Sequence, residues 1–213
     1  MAFSDWVFEQ TSNATANLTA SSPLSGSSSL ELSLNANATN RGQAGYVIDS
    51  GVPLGMSKGK IRTLIQKVSG NDVEEFASGI FCLAEATDFG SNGSTEAYVA
   101  IMDTEFQGVQ LRYTSITNST SGLLTKVDSL GFTNGVTKAL ELEWDNNPTE
   151  IGGIHFIVRV GSMTDFSDLT EVINFVDPTS RTIAGYEGIC HINDSSLVSP
   201  VWYFDDTSIF ELV

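Results

Sequence analysis

The sequence carries little positive charge. Its 213 residues include 10 Lys and Arg against 26 Asp and Glu, which gives a formal net charge of -16 at pH 7. Nucleic acids and anionic membrane surfaces both attract proteins through positive charge. The charge balance therefore argues against either as the main partner. Long apolar runs are absent as well, because no stretch approaches the roughly 20 residues that a membrane-spanning helix needs.

Cysteine and histidine are scarce, with two residues of each. Cys82 and Cys190 lie in apolar, strand-like runs, "GIFCLA" and "EGICHI". This setting predicts two buried free thiols, although the sequence leaves a disulfide between them open. His155 and His191 lie in separate strand-like segments without the ligand spacing of a zinc site. We therefore expect no metal and no cofactor.

The N-terminus also lacks a recognisable targeting segment. "MAFSDWVFEQ" has no basic region followed by an apolar run, which is the pattern of a secretory signal. The expectation is a protein that is made in the cytoplasm and not secreted through a signal peptide.

Strict alternation of apolar and polar residues dominates the chain. "KALELEW" places Leu140, Leu142 and Trp144 on one face of a strand and Glu141 and Glu143 on the other. "LELSL" and "GIHFIVRVG" alternate in the same way, and turn signals such as "SNGS", "TNG" and "DNNP" separate such segments. With 41% apolar residues, residues 1–213 are predicted to form a single all-β domain, an antiparallel two-sheet sandwich. Only "TDFSDLTEVINF" is a candidate for a helical turn.

The order of apolar and glycine positions in the later two thirds of the chain resembles a known family. The corresponding segments are Gly79 to Ala84, Tyr98 to Ile101, Gly152 to Gly161, Gly185 to Ile189 and Tyr203 to Ile209. In this order they resemble the strands of concanavalin-like, laminin-G-like jelly-roll domains. The resemblance covers about residues 75 to 213 and implies that architecture. Carbohydrate-binding jelly rolls of the galactose-binding type share the closing "Y-F-D-D" and are the second option.

The last segment, "VWYFDDTSIFELV", reads as a terminal strand. Trp202 and Phe204 are predicted on one side of it and Tyr203 and Asp205 on the other. The resemblance implies that this strand pairs beside the first, near residues 6–8. Two interpretations of the adjacent acids remain: a solvated bend in which Asp206 caps backbone N–H groups, or part of a calcium or catalytic site. We favour the bend, because one acidic pair supplies too few of the six to eight oxygens that calcium needs.

One acidic pattern could support catalysis. Some concanavalin-like relatives are retaining glycoside hydrolases with the pattern Glu-x-Asp-x-Glu on one strand face. Glu141, Glu143 and Asp145 of "ELEWD" come close to it, but the middle and last acids differ. Asp145 also runs into the turn signal "DNNP", which draws it away from the convergent geometry that this chemistry requires. We expect no enzyme activity.

The segment "SKGKIRTLIQK" concentrates four of the ten basic residues, Lys58, Lys60, Arg62 and Lys67. Lys58, Lys60 and Arg62 share strand parity. This stripe is the candidate interaction site, a dock for an acidic partner or a neighbouring subunit. The alternative is a solvated strand face or a protected sheet edge, since edge strands often carry Lys.

Three functions follow from these patterns. The first is a virion structural protein, a bacteriophage capsid decoration or cement protein in a homo-oligomer that binds other capsid or tail proteins. The second is a carbohydrate-binding, lectin-like adhesin or tail receptor binder, with Tyr98, Tyr113 and Tyr186 as possible glycan contacts. The third and most remote is a glycoside hydrolase. Because a fold does not determine function, the site must decide among them.

Overall fold

The computed structural model describes residues 6–10, 14–20, 23–34, 43–48, 55–69, 76–85, 96–115, 122–147, 151–179, 185–193 and 201–213. Regular structure in these ranges is almost entirely β, as predicted. The strands are β1 Trp6–Gln10, β2 Ala14–Thr19, β3 Ser29–Leu34, β4 Gln43–Ile48, β5 Lys58–Ser69, β6 Phe76–Ala84, β7 Glu96–Asp103, β8 Gly108–Ser115, β9 Leu123–Val127, β10 Thr137–Asp145, β11 Ile154–Gly161, β12 Thr170–Asp177, β13 Tyr186–Asn193 and β14 Val201–Glu211.

The strands form two antiparallel sheets of seven strands each. Sheet A has the order β1-β4-β13-β6-β7-β8-β9, and sheet B has the order β12-β11-β10-β5-β14-β3-β2. Of the twelve neighbouring pairs among these strands, six join consecutive strands and six join strands distant in sequence, as in a jelly-roll sandwich. In the described part of the chain, no helix is long and apolar enough to span a membrane.

The core lies between the inner faces of the two sheets, where the alternating residues predicted from the sequence meet. Leu140, Leu142 and Trp144 of β10 are buried there, facing side chains of β6, β7 and β8 across the gap. Trp144 also explains why residue 59, the first inward-facing position of the neighbouring strand β5, is a glycine. A Cβ on Gly59 would lie 2.5 Å from Trp144 Cζ2, so the indole ring occupies the space that a side chain would need.

A second buried apolar group lies on the outward face of sheet A. It consists of Phe81, Ala84, Ala97, Val99, Ile101 and Cys190, with Tyr186 packed against it. Sheet A is therefore apolar on both faces over its central strands. The two cysteines lie on opposite faces of this sheet, Cys82 in the core and Cys190 in the outward group, and both are buried free thiols, as predicted.

Two local predictions are wrong. The last strand does not pair beside the first, because β14 lies in sheet B between β5 and β3, whereas β1 lies at the edge of sheet A next to β4. Side chains of residues 6–8 lie outside the described ones. The candidate helical segment forms a turn and then strand β12, where pairing with β11 and packing of Ile173 in the core override any helical preference.

Candidate functional site

The acidic face of β10 is an ion-pair ladder. Glu141, Glu143 and Asp145 point outward from sheet B, opposite the core-facing residues of the same strand. Arg159 Nη1 on β11 lies 2.6 Å from Glu141 Oε1 and 2.7 Å from Glu143 Oε2. On the other side, Lys60 lies 3.4 Å from the second oxygen of Glu141. These carboxylates are shared among cations and do not converge on an open space.

The ladder is electrostatically matched. Partial burial alone lowers the pKa of Arg159, but the hydrogen bonds and negative charges of Glu143 and Glu141 together outweigh burial and raise that pKa. Glu141 is only 3% exposed, so its negative charge is compatible with the fold because two cations accompany it. This arrangement gives the acidic strand a structural role.

The predicted basic stripe divides into two environments. Lys58, Lys60 and Arg62 face outward from sheet B, and Lys58 and Lys60 pair with Asp145 and Glu141 at 3.4 Å each. Lys67 belongs elsewhere. It is 2% exposed, and its ammonium donates a hydrogen bond to Thr104 Oγ1 of sheet A at 2.8 Å. The prediction that Lys67 belongs to the stripe is wrong, because it has the same strand parity as Ile61 and Ile65 of β5, which face the core. Docking by the other three stays a prediction.

The outward face of sheet A holds a hydrogen-bonded polar row next to its apolar group. The row runs Arg112, Gln110 and Asp103, on adjacent strands β8 and β7. Arg112 Nε donates to Gln110 Oε1 at 2.6 Å, and Gln110 Nε2 donates to a carboxylate oxygen of Asp103. Because each side chain orients the next, the three planar polar groups are held in fixed directions.

Asp103 anchors this row at the β7–β8 hairpin. Its side chain is 2% exposed, and its other carboxylate oxygen accepts backbone N–H groups of Glu105 at 2.9 Å and Phe106 at 3.4 Å. Burial raises the pKa of Asp103, and the two backbone hydrogen bonds and the charges of Arg112 and Lys126 only partly offset it. The carboxylate therefore fixes the hairpin and the polar row together.

An aromatic side chain lies beside the row. Phe106, in the hairpin, is 38% exposed, and the ammonium of Lys126 lies 4.1 Å from its ring centroid. Lys126 is the cross-strand neighbour of Gln110, so it shares the outward face of the row. Its charge is balanced by Asp128 at 3.0 Å. Because Asp103 and Gln110 are only 2% and 3% exposed, the solvent-facing part of this region consists of the half-buried Arg112, Lys126 and the ring of Phe106.

Of the three tyrosines predicted as glycan contacts, two are core residues. Tyr98 is fully buried between the sheets, with its ring centroid 4.4 Å from that of Phe156, and its hydroxyl donates to Asp177 at 2.6 Å. Tyr113 packs on Tyr98, at 4.9 Å between centroids. The prediction is wrong for Tyr98, which is fully buried; Tyr113 has the same inward parity but is only half-buried, so its glycan contact stays a prediction. Tyr186 packs against the outward group of sheet A.

The two acids of the closing strand form a structural bend. One carboxylate oxygen of Asp205 accepts the Ser25 N–H at 2.8 Å and the Ser29 hydroxyl at 2.9 Å, and the other accepts the Asp206 N–H at 2.8 Å. The predicted bend exists, but Asp205, not Asp206, caps the backbone N–H groups. Asp206 bonds the Ser25 hydroxyl.

Both histidines form hydrogen bonds with neighbouring side chains. His155 Nε2 is 2.8 Å from Asn174 Oδ1 on the outward face of sheet B, and buried His191 Nδ1 is 2.6 Å from Ser78 Oγ. Among the residues that the structure describes, no group of three or more His, Cys, Asp or Glu side chains is arranged to hold a metal ion.

The polar row was not predicted from the sequence. The available signal is the alternation of "GVQLRYT", which places Gln110 and Arg112 opposite the core-facing Val109 and Leu111. What the sequence does not show is that Asp103, seven residues before Gln110, ends the adjacent strand on the same face.

Comparison with solved structures shows the fold. The exoplasmic/lumenal domain of VIP36 in its Ca2+-bound form superimposes with a TM-score of 0.62 and 11% identity, covering 98% of this chain and 84% of that one. Cellulose induced protein Cip1 gives 0.60 at 15% identity, covering 100% and 94%. The carbohydrate binding module CBM66 from Bacillus subtilis gives 0.57 at 12% identity, covering 94% and 98%.

No family profile matches the chain, and no curated protein sequence matches it. At these identities the solved structures establish architecture alone. The two seven-stranded antiparallel sheets and the neighbours agree on it: the chain has a concanavalin-like, lectin-type β-sandwich fold.

Proposed function

We propose that this protein is a non-catalytic carbohydrate-binding domain, and that it binds glycan on the outward face of sheet A around the Asp103–Gln110–Arg112 row. The observation that carries the proposal is this hydrogen-bonded row of three planar polar side chains adjoining the partly exposed ring of Phe106.

The chemistry of the row suits a sugar. A sugar presents hydroxyl groups that both donate and accept hydrogen bonds, and C–H faces that are apolar. Asp103 and Gln110 are buried, at 2% and 3% exposed, and their hydrogen bonds orient the half-buried guanidinium of Arg112. The remaining N–H groups of that guanidinium can donate to sugar hydroxyls. An aromatic ring beside fixed polar groups is the usual composition of a small-molecule site.

The structural neighbours support the same class of ligand. The VIP36 domain has been solved with Man and Man3GlcNAc bound. The carbohydrate recognition domain of Emp46p matches at a TM-score of 0.57 and 9% identity. These names describe those proteins. They support a carbohydrate ligand for this protein through the β-sandwich that they share with it over nearly the whole chain. A virion decoration role receives no support from any of these neighbours, and a virion location stays a prediction.

The proposal excludes catalysis because the carboxylates of the acidic strand β10 are paired with cations. Glu141 and Glu143 share Arg159, and Asp145 pairs with Lys58 at the other end of the ladder. Retaining glycoside hydrolysis needs one carboxyl group free to act as an acid and another free to attack, about 5–5.5 Å apart around a substrate. Carboxylates neutralised by adjacent cations do not fill these roles.

A glycan array followed by calorimetry on the best neutral ligand tests the proposal. Gln110→Ala and Arg112→Gln should each weaken binding at least tenfold. Lys58→Gln is the matched control, since it removes one positive charge from the opposite sheet and should leave affinity unchanged. The proposal fails if no glycan binds, or if folded Gln110→Ala and Arg112→Gln bind as tightly as the parent.

A further inference from the structure

Arg62 lies on the outward face of sheet B in an environment unlike that of its neighbours. Its guanidinium carbon is 4.5 Å from the ring centroid of Phe166 and 4.9 Å from that of Phe210. Its Nε is buried and has no hydrogen-bond partner. Within the described ranges, no carboxylate pairs with this guanidinium, although the side chain is only half-buried.

The other cations on this face are neutralised. Lys58 pairs with Asp145, Lys60 pairs with Glu141, and Arg159 bonds both Glu141 and Glu143. Glu141 is the residue opposite Arg62 in the β5–β10 register, yet its two oxygens are taken by Arg159 and Lys60. The ladder thus satisfies its own carboxylates and leaves one positive charge, that of Arg62, without a counter-charge among the described residues.

Phe166 is held over Arg62 by a hydrogen-bonded turn. Asp168 accepts backbone N–H groups of Ser162 at 2.8 Å and Met163 at 2.9 Å, and Asp165 accepts the N–H and hydroxyl of Ser167. Phe166 itself has a φ of 61°, which a bulky residue adopts only when its surroundings impose it. The turn therefore fixes this ring in place before any ligand arrives.

Phe210 also lies against Arg62, because a bulge in β14 turns its side chain outward. Between Asp205 and Ser208 the strand holds one extra residue relative to β5, with Asp206 at a φ of 47°. Phe204 before the bulge and Ile209 after it both face the core, so Phe210 faces outward. Without the extra residue, Phe204 and Phe210 would share a face. The bulge is what places the second ring beside Arg62.

We propose that Arg62, with Phe166 and Phe210, is a second binding site, specific for the carboxylate of an acidic sugar such as a uronic acid. A guanidinium is planar and presents paired N–H donors that match the two oxygens of a carboxylate. The adjoining rings supply apolar surface for the C–H groups of the sugar ring that carries it. The choice of a sugar as carrier rests on the proposed carbohydrate-binding function.

The charge of the molecule favours a ligand with a single carboxylate. A net charge of -16 repels polymers that are charged at every residue. One unmatched guanidinium on a neutralised face complements one negative charge. The ligand that fits is therefore a singly charged sugar within an otherwise neutral glycan, and an acidic peptide is disfavoured.

The test compares methyl β-glucuronide with methyl β-glucoside, which carries a hydroxymethyl group where the glucuronide carries its carboxylate. NMR titration of the parent, followed at the Arg62 Nε–H and the Phe166 and Phe210 rings, should show the glucuronide binding at least tenfold more tightly. Arg62→Gln should abolish this preference. Lys58→Gln, which removes the same charge from a paired position, should retain it, and Arg62→Lys should retain only part. Thermal unfolding of each variant establishes that it is folded.

Four results would overturn the assignment: equal binding of the two methyl glycosides, a preference that survives in Arg62→Gln, binding of acetate or sulfate as tight as that of the glucuronide, or tighter binding of a glutamate-rich peptide. The two proposals fail separately. Neutral glycan binding that depends on Gln110 without any glucuronide preference rejects only the Arg62 site. A glucuronide preference that depends on Arg62, without any effect of Gln110→Ala on neutral glycans, rejects only the sheet A site.

Discussion

The carboxylate of Asp205 accepts the backbone N–H of Ser25 at 2.8 Å, across 180 residues of sequence. This bond ties the segment before β3 to the centre of the final strand, at the residue where the bulge of β14 begins. The adjacent acids Asp205 and Asp206 thus lie at a bulge that reverses the strand parity of the residues after it. The bulge allows one strand to fill the core with Phe204 and Ile209 and still present Phe210 outward.

Replacing Asp205 by Ala should lower the free energy of unfolding by about 2–4 kcal/mol, because three donors lose their acceptor in a buried place. Urea denaturation followed by tryptophan fluorescence measures this. Asp206→Gly is the matched control. Glycine adopts the left-handed φ of 47° without strain, so the expected loss there is under about 0.5 kcal/mol. Equal losses in the two variants would contradict the assignment of the bend to Asp205.

Glu141→Gln should lower the free energy of unfolding by about 1–3 kcal/mol, since it leaves Arg159 and Lys60 with a weaker, uncharged partner in a mostly buried site. Asp145→Asn is the control from the same strand face. Its partner Lys58 is more exposed, so the expected loss is under about 0.5 kcal/mol. Chemical denaturation of both variants provides the comparison, and a smaller loss for Glu141→Gln than for Asp145→Asn would contradict the ladder.

The same variant tests catalysis. Incubation of the parent with a panel of β-glucans, xylans, mannans and galactans should release no reducing sugar above a heat-inactivated control, and Glu141→Gln should behave identically. The reason is that Arg159 and Lys60 hold both oxygens of Glu141. Hydrolysis by the parent that disappears in Glu141→Gln would show that the strand is catalytic after all.

Much of the fold follows from sequence periodicity. Alternation alone places Leu142, Trp144 and Phe156 in the core, because one face of each antiparallel strand must be buried. Periodicity also leads to errors where a single residue shifts the register. The parity of Phe210 depends on the φ of Asp206, and that φ depends on contacts from residues 25 and 29. Such long-range contacts leave no local pattern in the sequence.

The candidate sites were less predictable than the fold for the same reason. The stripe of Lys58, Lys60 and Arg62 is visible as alternation, but its neutralisation depends on which strand lies beside β5. Arg62 becomes distinctive only after Glu141 is seen to bond Arg159 and Lys60. Strand order in a jelly roll is set by non-local pairing, so a sequence identifies the candidate residues and the topology decides their partners.

The two thiols should be unreactive in the folded protein. Burial raises the pKa of Cys190 to about 12, and burial followed by the charge of Glu187 raises that of Cys82 well above its ordinary value. A thiol reacts as its thiolate, so the raised pKa opposes modification, and burial also keeps the reagent away from the sulfur. At pH 8, Ellman's reagent should modify neither thiol in buffer and both in denaturant. Rapid modification of one thiol in buffer would contradict its buried position.

Glu187 should make the protein less stable as pH rises. Its side chain is 1% exposed, and neither carboxylate oxygen has a hydrogen-bond partner among the described residues. It lies on β13 beside the bulge at Leu83, on the side of Cys82. Burial raises the pKa of Glu187 from its ordinary 4.5 to about 8. The folded state therefore binds a proton that the unfolded state has lost between these values, and stability falls as pH rises through this window.

Replacing Glu187 by Gln removes this dependence. The free energy of unfolding of the parent should drop by about 2–3 kcal/mol more than that of Glu187→Gln between pH 6 and pH 9. Urea denaturation at four pH values across that interval measures the difference. Cys190 contributes equally to both proteins, and burial, the larger cause of the raised pKa of Cys82, is present in both. Glu171→Gln, on the exposed face of β12, is the control for the Glu-to-Gln substitution itself. Parallel curves for the parent and Glu187→Gln would show that the carboxyl is ionised in the folded protein with a charge partner of its own.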